Sequence, residues 1–79
     1  MTLAEIDLGT PARITGFKSV SEEERLRLCA LGVREKAVIT KLLRTPLRDP
    51  IECLVGPQLL TIDAWLVKRI EVEAPGLGG

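Results

Sequence analysis

Apolar residues recur in short stretches along the chain, and in the first and last of these stretches apolar and polar residues alternate with the period of two that is typical of β-strands. These stretches, rich in β-branched and aliphatic residues, occupy 12–17, 37–43, 51–55, 58–62 and 69–73. Gly56-Pro57 separates the third stretch from the fourth, as a hairpin turn would. The pattern therefore predicts five short strands and a mainly β fold.

Residues 22–31 carry the signals of an α-helix. Ser21 and Glu24 have the spacing of a capping box, and the first turn is rich in carboxylates, which the helix dipole favours there. Gly32 is expected to end the helix, because the residue just past the last turn often needs a positive φ. Apolar residues at steps of three and four predict the face that packs on the core, namely Leu26, Leu28, Cys29, Ala30, Leu31 and Val33.

Two shorter segments predict single helical turns. Residues 2–5 read Thr-Leu-Ala-Glu, which is a second capping box, and Gly9 would break the segment that follows. Asp63 is expected to cap another turn over residues 64–66. The apolar side chains that the first segment would carry inward are Leu3, Ile6 and Leu8.

The chain of 79 residues is expected to form one domain over residues 1–74, followed by a disordered tail over 75–79. Exposed edge strands tend to pair with other chains, and closure of the sheet removes them. We therefore expect a small β-barrel of about five strands. One α-helix is inserted between the first two strands, and the remaining helical turns are short and terminal.

Charge and composition narrow the possible partners. Eleven basic and eleven acidic side chains give a net charge of zero, so no overall attraction to nucleic acid or anionic lipid is expected. Apolar runs reach only about four residues, against roughly 20 for a membrane span, and no secretory signal is visible. A cytoplasmic protein is expected, in which Cys29 and Cys53 stay reduced and buried.

Side chains that carry most enzymatic chemistry are absent or isolated. The sequence has no histidine, so neither a Cys–His nor a Ser–His pair can form. Cys29 and Cys53 lack the short paired spacing of a zinc site. Asp49, Glu52 and the carboxylates at 22–24 could hold a metal ion only loosely. We predict no catalytic residues, no cofactor and no ordered metal site.

Several short motifs, taken in order, resemble one bacterial protein family. The helix ends in Leu31-Gly32-Val33, and a loop from Thr45 to Ile51 reads Thr-Pro-Leu-Arg-Asp-Pro-Ile. A Leu-Ala-Glu-aliphatic turn ends at Gly9, and an aliphatic strand at 70–72 closes the pattern. From residue 3 to 72 this order resembles the FeoA domains, cytosolic accessory proteins of ferrous iron uptake. The resemblance implies an SH3-like barrel with a helix between its first two strands.

The chain departs from the family's usual pattern at three turns. Glu35-Lys36 stands where the family usually has Pro-Gly after the helix, and Arg48 replaces the glycine of the loop. Asp63 stands where an arginine often follows the fourth strand. All three changes affect turns and leave the strands and the helix intact.

The resemblance implies a non-enzymatic protein that docks on the cytosolic region of FeoB, the inner-membrane transporter of ferrous iron, and promotes uptake. It would then act in the cytoplasm, recruited to the inner face of the inner membrane. The loop is the predicted contact, because two prolines pre-order it and less entropy is lost on docking. An alternative is a structural hairpin with Leu47 folded onto the barrel. The predicted contact residues are Pro46, Leu47, Arg48, Asp49 and Pro50.

Other functions are weighed against this one. A small metal-responsive or self-associating module would sense iron through carboxylates. With Phe17, Trp65 and no tyrosine, the chain cannot build the aromatic groove that binds proline-rich peptides, and we expect Trp65 to cover the core. The hypothesis of a nucleic-acid-binding barrel has even less support, because the aromatic residues that would stack on bases are missing. Basic residues that could form a positive strip, or simply face outward, are Arg34, Lys36, Lys41, Arg44 and Arg48.

Overall fold

The computed structural model describes residues 1–44 and 49–74. All five predicted strands and the predicted helix are present, each within one residue of its expected bounds. In chain order the elements are a 3-10 turn (Leu3–Glu5), β1 (Pro11–Phe17), α1 (Glu22–Ala30), β2 (Val38–Arg44), β3 (Ile51–Val55), β4 (Gln58–Ile62), α2 (Ala64–Val67) and β5 (Ile70–Glu73). The predicted disordered tail over 75–79 lies outside the described residues.

The strands form one antiparallel sheet in the order β4-β3-β2-β1-β5. Among the described residues, β4 and β5 are the two edges of this sheet, so the strands do not close into the barrel that was expected. The outer edge of β5 is instead covered by the start of the chain. Thr2 bridges to Glu71, and the amide of Val72 donates to the carbonyl oxygen of Met1 at 2.9 Å.

The core lies on the inner face of the sheet and is aliphatic. Burying one leucine, isoleucine or valine side chain contributes about 1.5–3 kcal/mol, so a set of small side chains can hold a chain of this size together. Within the described residues the buried hydrophobic positions are Leu3, Ile6, Ala12, Ile14, Leu28, Val33, Ile39, Ile51, Cys53, Val55, Ile62, Leu66, Val67, Ile70 and Val72.

Helix α1 starts as predicted but packs through a narrower face. Its cap forms where the amide of Glu24 donates to Oγ of Ser21 at 3.1 Å. Of the predicted apolar face, Leu28 and Val33 are buried, whereas Leu26 is 55% and Leu31 43% exposed. The wide face was therefore predicted wrongly. Only one row of the helix touches the core, because charged residues form most of its surface.

Backbone turns after α1 use two residues with positive φ. Gly32 has φ +92° and ends the helix as expected. Lys36 has φ +75°, which costs a non-glycine residue of the order of 1 kcal/mol. The amide of Lys36 donates to the Ile14 carbonyl at 2.8 Å, and Ile14 in turn donates to Ala37 at 2.8 Å. These hydrogen bonds hold Lys36 in a backbone conformation that glycine adopts most easily. The family that the sequence resembles usually has glycine at this position.

The amino-terminal segment is fastened to β2 through a buried lysine. Lys41 is 3% exposed, and its Nζ donates to the carbonyl oxygen of Ala4 at 3.4 Å. The amide of Gly9 donates to the Lys41 carbonyl at 2.6 Å. Leu3 and Ile6 are buried as predicted, but the prediction for Leu8 is wrong, since its side chain is 45% exposed.

Helix α2 is capped by a residue that is distant in sequence. Asp63 precedes the helix, as predicted, but its carboxylate makes no capping hydrogen bond in the described part of the chain. The amide of Ala64 donates instead to Oδ1 of Asp49 at 2.9 Å. This bond ties the end of the 45–50 loop to the start of α2.

Replacing Asp49 with alanine should destabilise the protein by about 1 kcal/mol, because the Ala64 amide loses its capping acceptor. For a domain of this size the loss lowers Tm by about 4–8 °C. Asp63→Ala is the matched control and should change stability by less than about 0.5 kcal/mol. Thermal and urea unfolding measure both variants. Equal losses in the two would show that the capping role has been assigned to the wrong aspartate.

Candidate functional site

The predicted contact loop is described only at its carboxyl end. Pro46, Leu47 and Arg48 lie outside the described residues. Asp49 is exposed and Pro50 half-buried. Because the Asp49 carboxylate accepts from the Ala64 amide, the described end of the loop lies against helix α2.

Helix α2 also forms one wall of a cleft of about 410 Å³. The cleft arises where β1 ends and β5 begins, since the amide of Lys18 donates to the carbonyl oxygen of Arg69 at 2.8 Å. The amide of Arg69 donates in turn to the carbonyl of Leu66 in α2, also at 2.8 Å. We call this feature the basic cleft; its lining residues are Lys18, Ser19, Trp65, Lys68 and Arg69.

Arg69 is held from two sides within the basic cleft. Its Nη1 donates to the carbonyl oxygen of Ser19 at 2.6 Å, and its guanidinium carbon lies 5.6 Å from the centre of the Trp65 ring. That distance is typical of a cation–π interaction. Ser19 presents its carbonyl from a backbone with φ +54°, which is uncommon outside glycine. The arginine and the tryptophan are therefore fixed in place before any ligand arrives.

Trp65 does not cover the core, and that prediction is wrong. Its side chain is 47% exposed, whereas Leu66 and Val67 are 3% and 1% exposed and fill the core positions of the same turn. A four-residue helix can direct only part of its side chains inward. The tryptophan is therefore left at the surface.

The predicted positive strip around β2 is interrupted. Arg34 and Lys36 are exposed, but Lys41 is buried and faces the amino-terminal turn. Arg48 lies outside the described residues. Sequence reasoning missed the basic cleft because Lys18 joins it through strand pairing across the sheet. The local signal of the cleft in the sequence was a tryptophan, Trp65, that is followed three positions later by Lys68 and four positions later by Arg69.

Both cysteines are free thiols. Cys53 is buried, and burial raises the pKa of its thiol to about 11. Cys29 is half-buried, with Nη1 of Arg25 4.0 Å from its Sγ. The prediction that both are buried therefore holds for Cys53 alone. A thiol with so high a pKa stays protonated near neutral pH and is unreactive there. Cys53 therefore serves only as a side chain of the core.

Carboxylates at the start of α1 are engaged in ion pairs. Nη2 of Arg25 lies 2.6 Å from Oε1 of Glu22, and Arg27 pairs with Glu24. The hydrogen bond from Arg25 lowers the pKa of Glu22. Across residues 1–44 and 49–74 no three acidic or cysteine side chains gather in a way that could hold a metal ion. In the same residues no helix has the length and apolar character needed to cross a membrane.

Comparison with known proteins gives one family. The model of the FeoA domain matches residues 1–74. No curated protein matches the chain. Among solved structures, the chain is similar to iron(II) transport protein A from Clostridium thermocellum, with 32% identity and a TM-score of 0.82. The alignment covers 96% of this chain and 46% of that one, so the chain spans less than half of that relative's length.

Two further structures support the same fold. FeoA from Chlorobium tepidum has 32% identity and a TM-score of 0.87, with 95% of this chain and 70% of that chain covered. FeoA from Stenotrophomonas maltophilia, complexed with zinc and described as a prokaryotic SH3 domain protein, has 24% identity and a TM-score of 0.75. That alignment covers 92% of this chain and 89% of the other. The predicted SH3-like fold, with a helix between its first two strands, is confirmed.

Proposed function

Because this chain belongs to the FeoA domain family, we propose that it is a non-enzymatic accessory protein of ferrous iron transport. The family match over residues 1–74 carries the proposal, and a relative of 32% identity is named iron(II) transport protein A. We take residues 1–74, which the family model matches, as the functional domain.

We propose further that the protein docks on the cytosolic region of a FeoB-like transporter and thereby promotes iron uptake. Its surface supports a role in protein contact, since the large aromatic side chain of Trp65 is 47% exposed. Tryptophan is among the residues that most often anchor protein interfaces. Docking of this kind places the protein in the cytoplasm, at the inner face of the inner membrane.

The 46–50 loop is the proposed contact segment. Its carboxyl end is ordered by the bond between Asp49 and the Ala64 amide. Two prolines restrict the segment further, which lowers the entropy lost on binding. Leu47 would enter an apolar site on the transporter, and Arg48 would pair with an acidic group there.

Isothermal titration calorimetry with the soluble cytosolic region of the transporter from the same source tests the docking proposal. We expect saturable binding, measured with and without GTP. Circular dichroism establishes that the accessory protein is folded in the same buffer. Absence of heat with both partners folded would contradict docking on the soluble region.

Leu47→Asp should weaken that binding at least about tenfold and leave the fold unchanged, because a carboxylate cannot enter an apolar site without a large desolvation cost. Leu26→Asp, at a leucine that is 55% exposed on α1, is the matched control for the same chemical change. Calorimetry of the two variants decides the point. An affinity equal to that of the unmodified protein would remove the loop from the interface.

The metal-responsive alternative predicts a different titration. We expect no stoichiometric binding when the protein is titrated anaerobically with ferrous iron, since Glu22 and Glu24 are already paired with arginines. Sedimentation velocity on the same samples reports any iron-dependent self-association. Tight binding of one iron per chain, or assembly that requires iron, would favour the sensing module over the adaptor.

A further inference from the structure

We propose that the basic cleft binds an acidic segment of a partner protein, with Arg69 and Trp65 as its fixed centre and Lys18 and Lys68 as its charged walls. In the setting of the proposed function, that segment belongs to the cytosolic region of the transporter, and on this point the inference rests on that function. The cleft would form a second contact beside the 46–50 loop.

Charge is the first argument. The basic cleft gathers three cationic side chains, and no acidic residue is among the five that line it. Ion pairs in the described residues join Arg13 to Glu73, Arg25 to Glu22 and Arg27 to Glu24, and none uses a cation of the cleft. In a chain of zero net charge, this is a local positive site that can accept carboxylates.

Preorganisation is the second argument. One N–H group of Arg69 donates a hydrogen bond to the Ser19 carbonyl, and the guanidinium lies over the Trp65 ring. Its other N–H groups can still donate to a carboxylate, for which the planar guanidinium is well suited. Arginine and tryptophan contribute strongly to protein interfaces, and side chains already held in place lose little entropy on binding.

The size of the site favours a protein segment over a bilayer. Recruitment by anionic lipid usually takes a cluster of about 4–8 basic residues. Lys18, Lys68 and Arg69 fall short of that number. Three cations lining one cleft are enough to pair with the carboxylates of a short acidic segment.

Continuity with the loop is the third argument. Asp49 bonds to the amide of Ala64, and Trp65 is the next residue of the same short helix. The described end of the proposed contact segment and one wall of the basic cleft are therefore fixed to the same element. A single partner can contact both.

The test compares two pairs of charge reversals by calorimetry against the cytosolic region of the transporter at low salt. Lys18→Glu with Lys68→Glu alters the cleft. Arg34→Glu with Lys36→Glu makes the same change in net charge at exposed positions outside the cleft. We expect a loss of at least about tenfold in the first and less than about twofold in the second. Lys18→Gln with Lys68→Gln repeats the test if the reversed variant does not fold.

Equal effects of the two pairs, or full affinity in the cleft variant, would overturn the inference while the proposed function stands. Should the unmodified protein itself fail to bind, the proposed function fails and a second probe decides the cleft. Trp65 is the single tryptophan, so its fluorescence reports on the cleft directly. A saturable change with a synthetic hexaglutamate peptide, lost in the cleft variant, would sustain the acidic-segment site. A response to phosphatidylglycerol vesicles alone, or to neither probe, would overturn it.

Discussion

Strand β1 pairs with β2 on one side and with β5 on the other, and through the second pairing the two ends of the chain meet. The pairing places Arg13 opposite Glu73 and Ile14 opposite Val72, and the inner side chains of both strands belong to the core. It also brings Lys18, the residue after β1, against the residue that precedes β5. The core and the basic cleft therefore depend on the same long-range pairing, and loss of that pairing would remove both.

Local structure could be read from the sequence because its signals are local, and contacts between distant residues could not. Strand alternation, the Ser21 cap and the turn glycines predicted every element within a residue. Periodicity shows which residues of a helix share a face, but not how much of that face meets the sheet, so Leu26 was expected inside. The identity of the capping aspartate, Asp49 in place of Asp63, and the burial of Lys41 depend on contacts across the fold.

The same contrast between local signals and long-range contacts holds for the candidate site. The 46–50 loop was found from a family resemblance over consecutive residues, whereas the basic cleft needs Lys18 beside a helix near the other end of the chain. Trp65 was expected in the core because a large apolar side chain usually is. Its neighbours Leu66 and Val67 occupy that space, which leaves the aromatic ring at the surface. A protein with no net charge can thus carry a positive cleft with an aromatic wall that its composition does not reveal.

Docking on the transporter is the central claim, and NMR titration tests it most directly. The 15N-labelled protein would be titrated with the unlabelled cytosolic region of the transporter. If the protein docks there, chemical-shift changes should saturate and cluster at the Trp65 indole, at Lys18 and Arg69, and at Leu47. Unchanged spectra, or changes confined to the β4 edge at 58–62, would contradict it.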